Sequence, residues 1–349
     1  MYTRTSYRRR KLKRILGITL LLLPGFVSTA AAQEKLPLKL VATTPLPGFT
    51  GDFDHFAVDL KGKRLFLTAE DHKTVEVFDL EGEHLNSITG FGQPHAALVL
   101  PDSNIIVTDG DDFGRVALVN GTDYKTIRTI KLPDGVDGAT FNPVDQNYYV
   151  ESGSDDEKQK THAINIIDTK NFKLVGEITL PGNHSEAMAI DKTGKKMYIN
   201  LAGENKVGVV DLESRKLLAQ WPIPDAAGAD ALVLDEPNHR VFIGTRRPAK
   251  FLVFSTDTGK VVTTLPCAEL LDDMWFDAAR KRVYVTGSEF TTVLDQRDAD
   301  HYTHVADVPT GFRAKTSILV PELNRLYIAV SGKGKPGAKL ALQVFDVQP

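Results

Sequence analysis

The stretch RVYVTGS (residues 282–288) packs β-branched and aromatic residues together and stops at a glycine and a serine. That is the pattern of a short strand buried on both faces. It recurs as KRLFLTA (63–69), NIIVTDG (104–110), NYYVESG (147–153), KKMYINL (195–201), RVFIGTR (240–246) and RLYIAVS (325–331). Aligned on their central residues, the copies place Phe66, Ile106, Tyr148, Tyr198, Phe242, Tyr284 and Tyr327 at intervals of 40, 42, 50, 44, 42 and 43 residues. An apolar strand precedes each copy, from HFAVD (55–59) to TSILV (316–320), and a further strand follows each, from VFDL (77–80) to VFDV (344–347). A third strand usually comes next, as in KTIRTIKL (125–132) and KLVGEITL (173–180).

No segment carries apolar residues at helical spacing over a helix's length. Four short strands repeated seven times predict an all-β fold, a seven-bladed β-propeller of four-stranded antiparallel blades. The seventh unit has no outer strand of its own after VFDV, and LKLVATTPL (38–46) has no partner near the other end. Pairing the two closes the ring and removes two free sheet edges. Asp79, Asp168, Asp211, Asp295 and Asp346, with Asn120 and Ser255, share one repeat position before the turn to the outer strand. They are expected to start that turn by accepting a backbone hydrogen bond.

RVYVTG, RLYIAV, the following VFD, and the TGK at 258–260 resemble the YVTN-repeat, YncE-like β-propellers, across essentially the whole chain after the first 32 residues. The resemblance implies an exported or surface propeller with a binding role. A GH…WD signature is absent.

The first 32 residues differ from the rest. Arg4, Arg8, Arg9, Arg10, Lys11, Lys13 and Arg14 precede an apolar run (15–27) broken by Pro24, and then STAAA. This reads as a signal peptide (1–32) cleaved near Ala32, followed by a single propeller domain (33–349) that is periplasmic or extracellular. The apolar run is short for a membrane span, and no integral span is expected after cleavage. Without those seven basic residues, 35 basic and 45 acidic residues remain, a formal net charge of −10. Such a body repels phosphate backbones, so nucleic acid is not an expected partner. Cys267 is the only cysteine, so no internal disulfide can form, and a small buried apolar role is expected for it. A monomer is expected.

In a propeller the inner strands line a central channel, and sites gather where they begin. The repeat places Asp54, Pro94, Val136, Glu186, Asp230, Asp272 and Lys315 in one ring at that mouth, and His55, His95, Asp137, Ala187, Ala231, Asp273 and Thr316 in the next. The expected ligand-binding residues are Asp54, His55, His95, Asp137, Glu186, Asp230, Asp272, Asp273 and Lys315. His55, His95 and Asp137, on consecutive units, offer donors for a divalent metal, with His184 or Glu186 as a further ligand. Loops between second and third strands add Glu70, Asp71, His72, Asp109, Asp111, Asp112, Glu151, Glu204, Arg246 and Arg247 to this face, and SGSDDEKQK (152–160) reads as a flap. Trp221 and Trp275 read as packing residues. No G-x-S-x-G, H-E-x-x-H, phosphate-binding glycine loop or C-x-x-C-H occurs. Three functions fit. The first is a binding module for a small polar ligand, a peptide or a cell-envelope component. The second is a metal-dependent, lactonase-like hydrolase, with Asp230 or Asp272 as base. The third is a structural surface or adhesion unit.

Overall fold

The computed structural model describes residues 36–110, 114–154 and 156–349. The expected signal peptide, Asp111, Asp112 and Asp155 lie outside the described residues.

Seven four-stranded antiparallel sheets are present among the described residues; in six the strands are hydrogen-bonded in chain order, and in the seventh the outermost strand is the first of the chain. The innermost strands are Phe56–Asp59, Pro94–Val99, Val136–Asn142, Met188–Ile190, Ala227–Asp235, Met274–Asp277 and Thr316–Val320, which number the blades one to seven. The second strands follow, from Arg64–Ala69 to Arg325–Val330, and contain the recurring stretches. Among the described residues the helical turns are three short 3-10 segments, Ala202–Glu204, Glu236–Asn238 and Pro321–Leu323. No helix there is long and apolar enough to cross a membrane.

The second strands are apolar on both faces because each blade is packed on both sides. In blade one, Leu65 and Leu67 cluster with Tyr327 and Leu342 of blade seven. Phe66, between them, points the other way, to Ile105 and Val107 of blade two. Successive strand residues alternate faces, so one continuous apolar run serves two interfaces. Seven buried clusters lie at the seven blade interfaces, and the one between blades seven and one makes the ring continuous.

The closing strand is where the sequence placed it. Leu38–Pro45 pairs antiparallel with Ala341–Val347, from Leu38 opposite Val347 to Pro45 opposite Ala341. The turn residues mostly behave as expected. Asp79 Oδ1 accepts from the N–H of Glu81 and Glu83, Asn120 from Thr122 and Asp123, Asp168 from Lys170, and Asp211 from Ser214. Asp295 instead meets the Arg282 guanidinium at 2.9 Å. Trp221 stacks on Phe254, as a packing residue would. Cys267 packs against the cluster between blades five and six, and burial pushes its thiol up to about 12.

Candidate functional site at the channel mouth

The inner strands leave their ladders at the mouth in a repeated way. In blade one the Asp54 N–H donates to Thr68 O, and the Thr68 N–H to His55 O, both at 3.0 Å. Two mouth residues thus face one residue of the second strand, which is the geometry of a β-bulge. Blade four repeats it, with Asn200 facing Glu186 and Ala187. In blades two, three and five the register slips between Pro94 and Ala97, Val136 and Ala139, and Ala229 and Ala231. These slips enclose His95, Asp137 and Asp230. A bulge re-aims a side chain, and here five of them aim polar residues into the channel.

Two ring assignments change. The central residues of the second strands pair with Ala57, Leu98, Phe141, Ala189, Val233, Trp275 and Ile318 in blades one to seven. Three positions back lie Asp54, His95, Gly138, Glu186, Asp230, Asp272 and Lys315. His95, not Pro94, and Gly138, not Val136, therefore belong to the ring of Asp54, because the hairpins of blades two and three are one and two residues shorter. Asp137 stands one residue before that ring.

All nine expected site residues line one central cavity of about 500 Å³. Glu70 and Arg246, which the sequence had in loops of this face, line it too, as do Arg313 and Asp52. Arg246 and Glu70 each lie four residues beyond the central residue of their unit, and that shared position is the signal that could have placed them. Trp275 also lines the cavity, and its Nε1–H donates to Ser317 Oγ. His72 does not; it stacks on Phe49 at 4.2 Å. Asp109 is occupied by Arg115 and by the N–H groups of Gly92 and Gln93, a structural role. Glu204 pairs with Lys206, away from the cavity.

The mouth has two electrostatically different halves. In blades five to seven the charges are matched. Arg246 reaches Asp230 at 3.0 Å and Asp272 at 2.6 Å, and Lys315 also binds Asp272. Arg313 binds Asp52 at 2.5 Å. Burial works against the Lys315 ammonium, but Asp272, Asp54 and Asp52 hold its pKa well above the usual lysine range. Asp230 is pushed up to about 7, by burial first, with Asp272 adding to it and Arg246 opposing.

In blades one to four the acids outnumber the cations. His95 Nδ1–H donates to Asp54 Oδ2 at 2.6 Å and lies 3.3 Å from Asp137 Oδ1 and 3.9 Å from Glu70 Oε2. Burial would lower the His95 pKa, but Asp137, Asp54 and Glu70 raise it to about 9. Burial would raise Asp54, yet His55 and His95 keep it well below the carboxylate range. The Glu186 carboxylate has no hydrogen-bond or ion-pair partner among the described residues, and burial followed by Asp137, Asp230 and Asp272 pushes it well up, with Arg246 opposing. Across the cavity eight carboxylates face three fixed cations, Arg246, Arg313 and Lys315, a surplus of five.

The three expected metal donors are not brought together as a set. His55 turns to Asp273 (3.5 Å) and to the second oxygen of Asp54 (3.7 Å). The residues that converge are Asp54, His95 and Asp137, with one donor atom from each lying within 4.8 Å of the others. His184, the other suggested ligand, lines a side pocket with Glu151 and Ser185.

Fold and mouth together define a seven-bladed β-propeller with an acid-rich channel entrance. In sequence the chain is similar to the protein YncE of Escherichia coli O157:H7 and of strain K12, 27% identical to each over 115 residues. The match spans about a third of this chain and of each relative, 32% in both cases. No family model matches the chain. Among solved structures it resembles a chain of the mitotic checkpoint complex (TM-score 0.73, 15% identity, covering 97% of this chain and 99% of that one). It also resembles a chain of Kuenenia stuttgartiensis hydrazine synthase (0.68, 20%, 88% and 96%) and the RRP9 WD40 repeats (0.71, 11%, 89% and 99%). At these identities the likeness concerns the fold alone.

Proposed function

We propose that this protein is a binding module that grips its ligand at the channel mouth through a positively charged group. The observation that carries the reading is Glu186, a carboxylate without a partner and one of the eight acids that line the cavity against three fixed cations. Such a cavity favours a cation over water when the cation brings its own hydrogen-bond donors. An ammonium or guanidinium has both, so the ligand is a small polar cation or a peptide offering a lysine or arginine side chain. The bulged strands support this, because they hold Asp54, Asp137 and Glu186 in place before a ligand arrives. The leader-like first 32 residues support export, where the ligand would be a peptide or cell-envelope component.

Calorimetry on the chelator-treated propeller (residues 33–349) tests the reading, with the tripeptides Gly-Lys-Gly and Gly-Arg-Gly against Gly-Gln-Gly. One of the basic peptides should bind at least about tenfold more tightly than the neutral one, and Glu186→Gln should remove that preference. Equal binding of all three peptides, or a preference that survives Glu186→Gln, would refute it.

A further inference from the structure

We propose that Asp54, His95 and Asp137 form a binding site for one divalent first-row transition metal ion, with open coordination positions facing the central cavity. The inference goes beyond the cationic-ligand reading and is compatible with it, since a divalent ion adds positive charge to a cavity in which acids outnumber the fixed cations.

The geometry is that of donors already gathered. Metal–nitrogen and metal–oxygen bonds of about 2.0–2.2 Å place neighbouring donors of one shell roughly 3 Å apart. His95 Nδ1 lies 2.6 Å from Asp54 Oδ2 and 3.3 Å from Asp137 Oδ1. A small opening of the first separation lets an ion replace the proton between them. The three residues come from three consecutive blades, so a single ion ties together the inner strands of blades one, two and three.

The backbone beneath the donors is fixed. The His55 N–H donates to His95 O at 3.2 Å, and Thr68 Oγ1 donates to the same carbonyl at 2.7 Å, joining blade one to blade two directly below the cluster. Gly110 leaves room for the imidazole, because a Cβ there would come within 2.9 Å of His95 Nε2 and 2.3 Å of Val136 O. Donors held this way lose little freedom on binding an ion.

The donor set selects the ion. One imidazole and two carboxylates suit Zn²⁺, Mn²⁺ or Fe²⁺, whereas Ca²⁺ and Mg²⁺ prefer oxygen shells. Three protein ligands leave at least one position for water or a ligand atom. Glu186, from blade four, lines the same cavity with its carboxylate unpartnered, outside the group of three converging donors.

The test uses the mature chain, stripped with chelator and then titrated with Zn²⁺, Mn²⁺, Co²⁺, Ca²⁺ and Mg²⁺ by calorimetry, with the visible absorption of Co²⁺ as a second readout. No peptide is present, so the outcome is separate from that of the peptide titration, which is run in chelator. One equivalent of Zn²⁺ or Co²⁺ should bind, with Ca²⁺ and Mg²⁺ at least about a hundredfold weaker. His95→Ala should abolish it. Asp137→Asn should weaken it by more than the roughly 10–100-fold typical of outer-shell groups. Asp137 is half-exposed, so that variant keeps the test valid if His95→Ala does not fold. His301→Asn, at an exposed site far along the chain, should leave binding unchanged. Absence of stoichiometric Co²⁺ binding, binding that survives Asp137→Asn, or binding lost in His301→Asn would overturn the proposal.

Discussion

Replacing Arg246 with methionine keeps much of the packing of the side-chain stem and removes only the guanidinium. Asp272 would retain Lys315, but Asp230, 7% exposed, would lose its one ion-pair partner among the described residues. Breaking a buried pair by deleting one partner typically costs about 3–5 kcal/mol, because the other group is left buried and either stays charged uncompensated or takes up a proton against its solution pKa. The unfolding entropy of a chain of about 310 residues is about 0.65 kcal/mol/K, at roughly 2.1 cal/mol/K per residue, so each kcal/mol moves Tm by about 1.5 °C. The expected loss at pH 8 is therefore about 5–8 °C. The loss also has a predictable pH dependence. Asp230 already titrates at about 7, and removing Arg246 raises it further. At pH 5 the group is neutral in both proteins, and the cost falls toward the roughly 1–3 kcal/mol of an unsatisfied buried hydroxyl. Calorimetric melts of both proteins at pH 5 and pH 8, in chelator, measure this. Arg246→Met/Asp230→Asn should recover at least half of the loss at pH 8. A shift below about 1.5 °C at pH 8, or equal losses at the two pH values, would refute the reasoning.

Leu38, 2% exposed on the closing strand, should cost about 2–4 kcal/mol when changed to alanine, while Leu40, exposed on the same strand, should cost under about 0.5 kcal/mol, both read from denaturant melts. If the two variants are indistinguishable, that strand does not seal the ring. Overall stability should decline from pH 5 to pH 9. Asp230 (raised to about 7) and Glu186 (raised well up) hold protons in the folded state that the unfolded chain has released, and His95 does the same up to about 9. A raised folded pKa contributes stability that is full below the unfolded value and is lost as pH climbs through the folded value. The contribution is roughly 1.4 kcal/mol for each pH unit by which the folded value exceeds the unfolded one. A melting temperature that rises between pH 5 and pH 9 would contradict these assignments.

The fold was legible because one physical requirement repeats. Phe66, Ile106, Tyr148 and their equivalents sit on strands that bury both faces, and each must be apolar whatever the ligand. The closing strand was legible because Leu38–Pro45 had no other partner. The mouth was legible only as a set of residues. Adjacent positions such as Asp54 and His55 both reach the entrance, yet which neighbour each meets depends on bulges and on the length of a hairpin. One residue fewer in the hairpin of blade two moves His95 into the ring of Asp54. That shift exchanges His55 for Asp54 in the triad, and no property of either residue announces it. Arg246 was legible only as one of two loop arginines on this face: its place in the channel comes from strand length, while its sequence neighbour Arg247 is exposed.

The bulges also separate the parts of the molecule that must be kept from those free to change. Packing energy lies in the seven clusters between blades, where a lost methylene costs about 1 kcal/mol. The mouth residues of blades one to five stand where the ladder has already been interrupted, so their side chains bear little of that packing. Asp137 is the limiting case: its side chain is 45% exposed and its one ion-pair partner among the described residues is His95. A blade can therefore exchange its mouth residue without disturbing the interface below it. Six of the seven entrance positions carry an aspartate, a histidine, a glutamate, two further aspartates and a lysine on near-identical strands, and blade three has Gly138 there with Asp137 beside it. The acid excess at Asp54, Asp137 and Glu186 is thus not imposed by the fold, because a regular blade such as the seventh places Lys315 at the same level. Charges that architecture does not require, kept where desolvation makes them expensive, are most simply explained by what they bind.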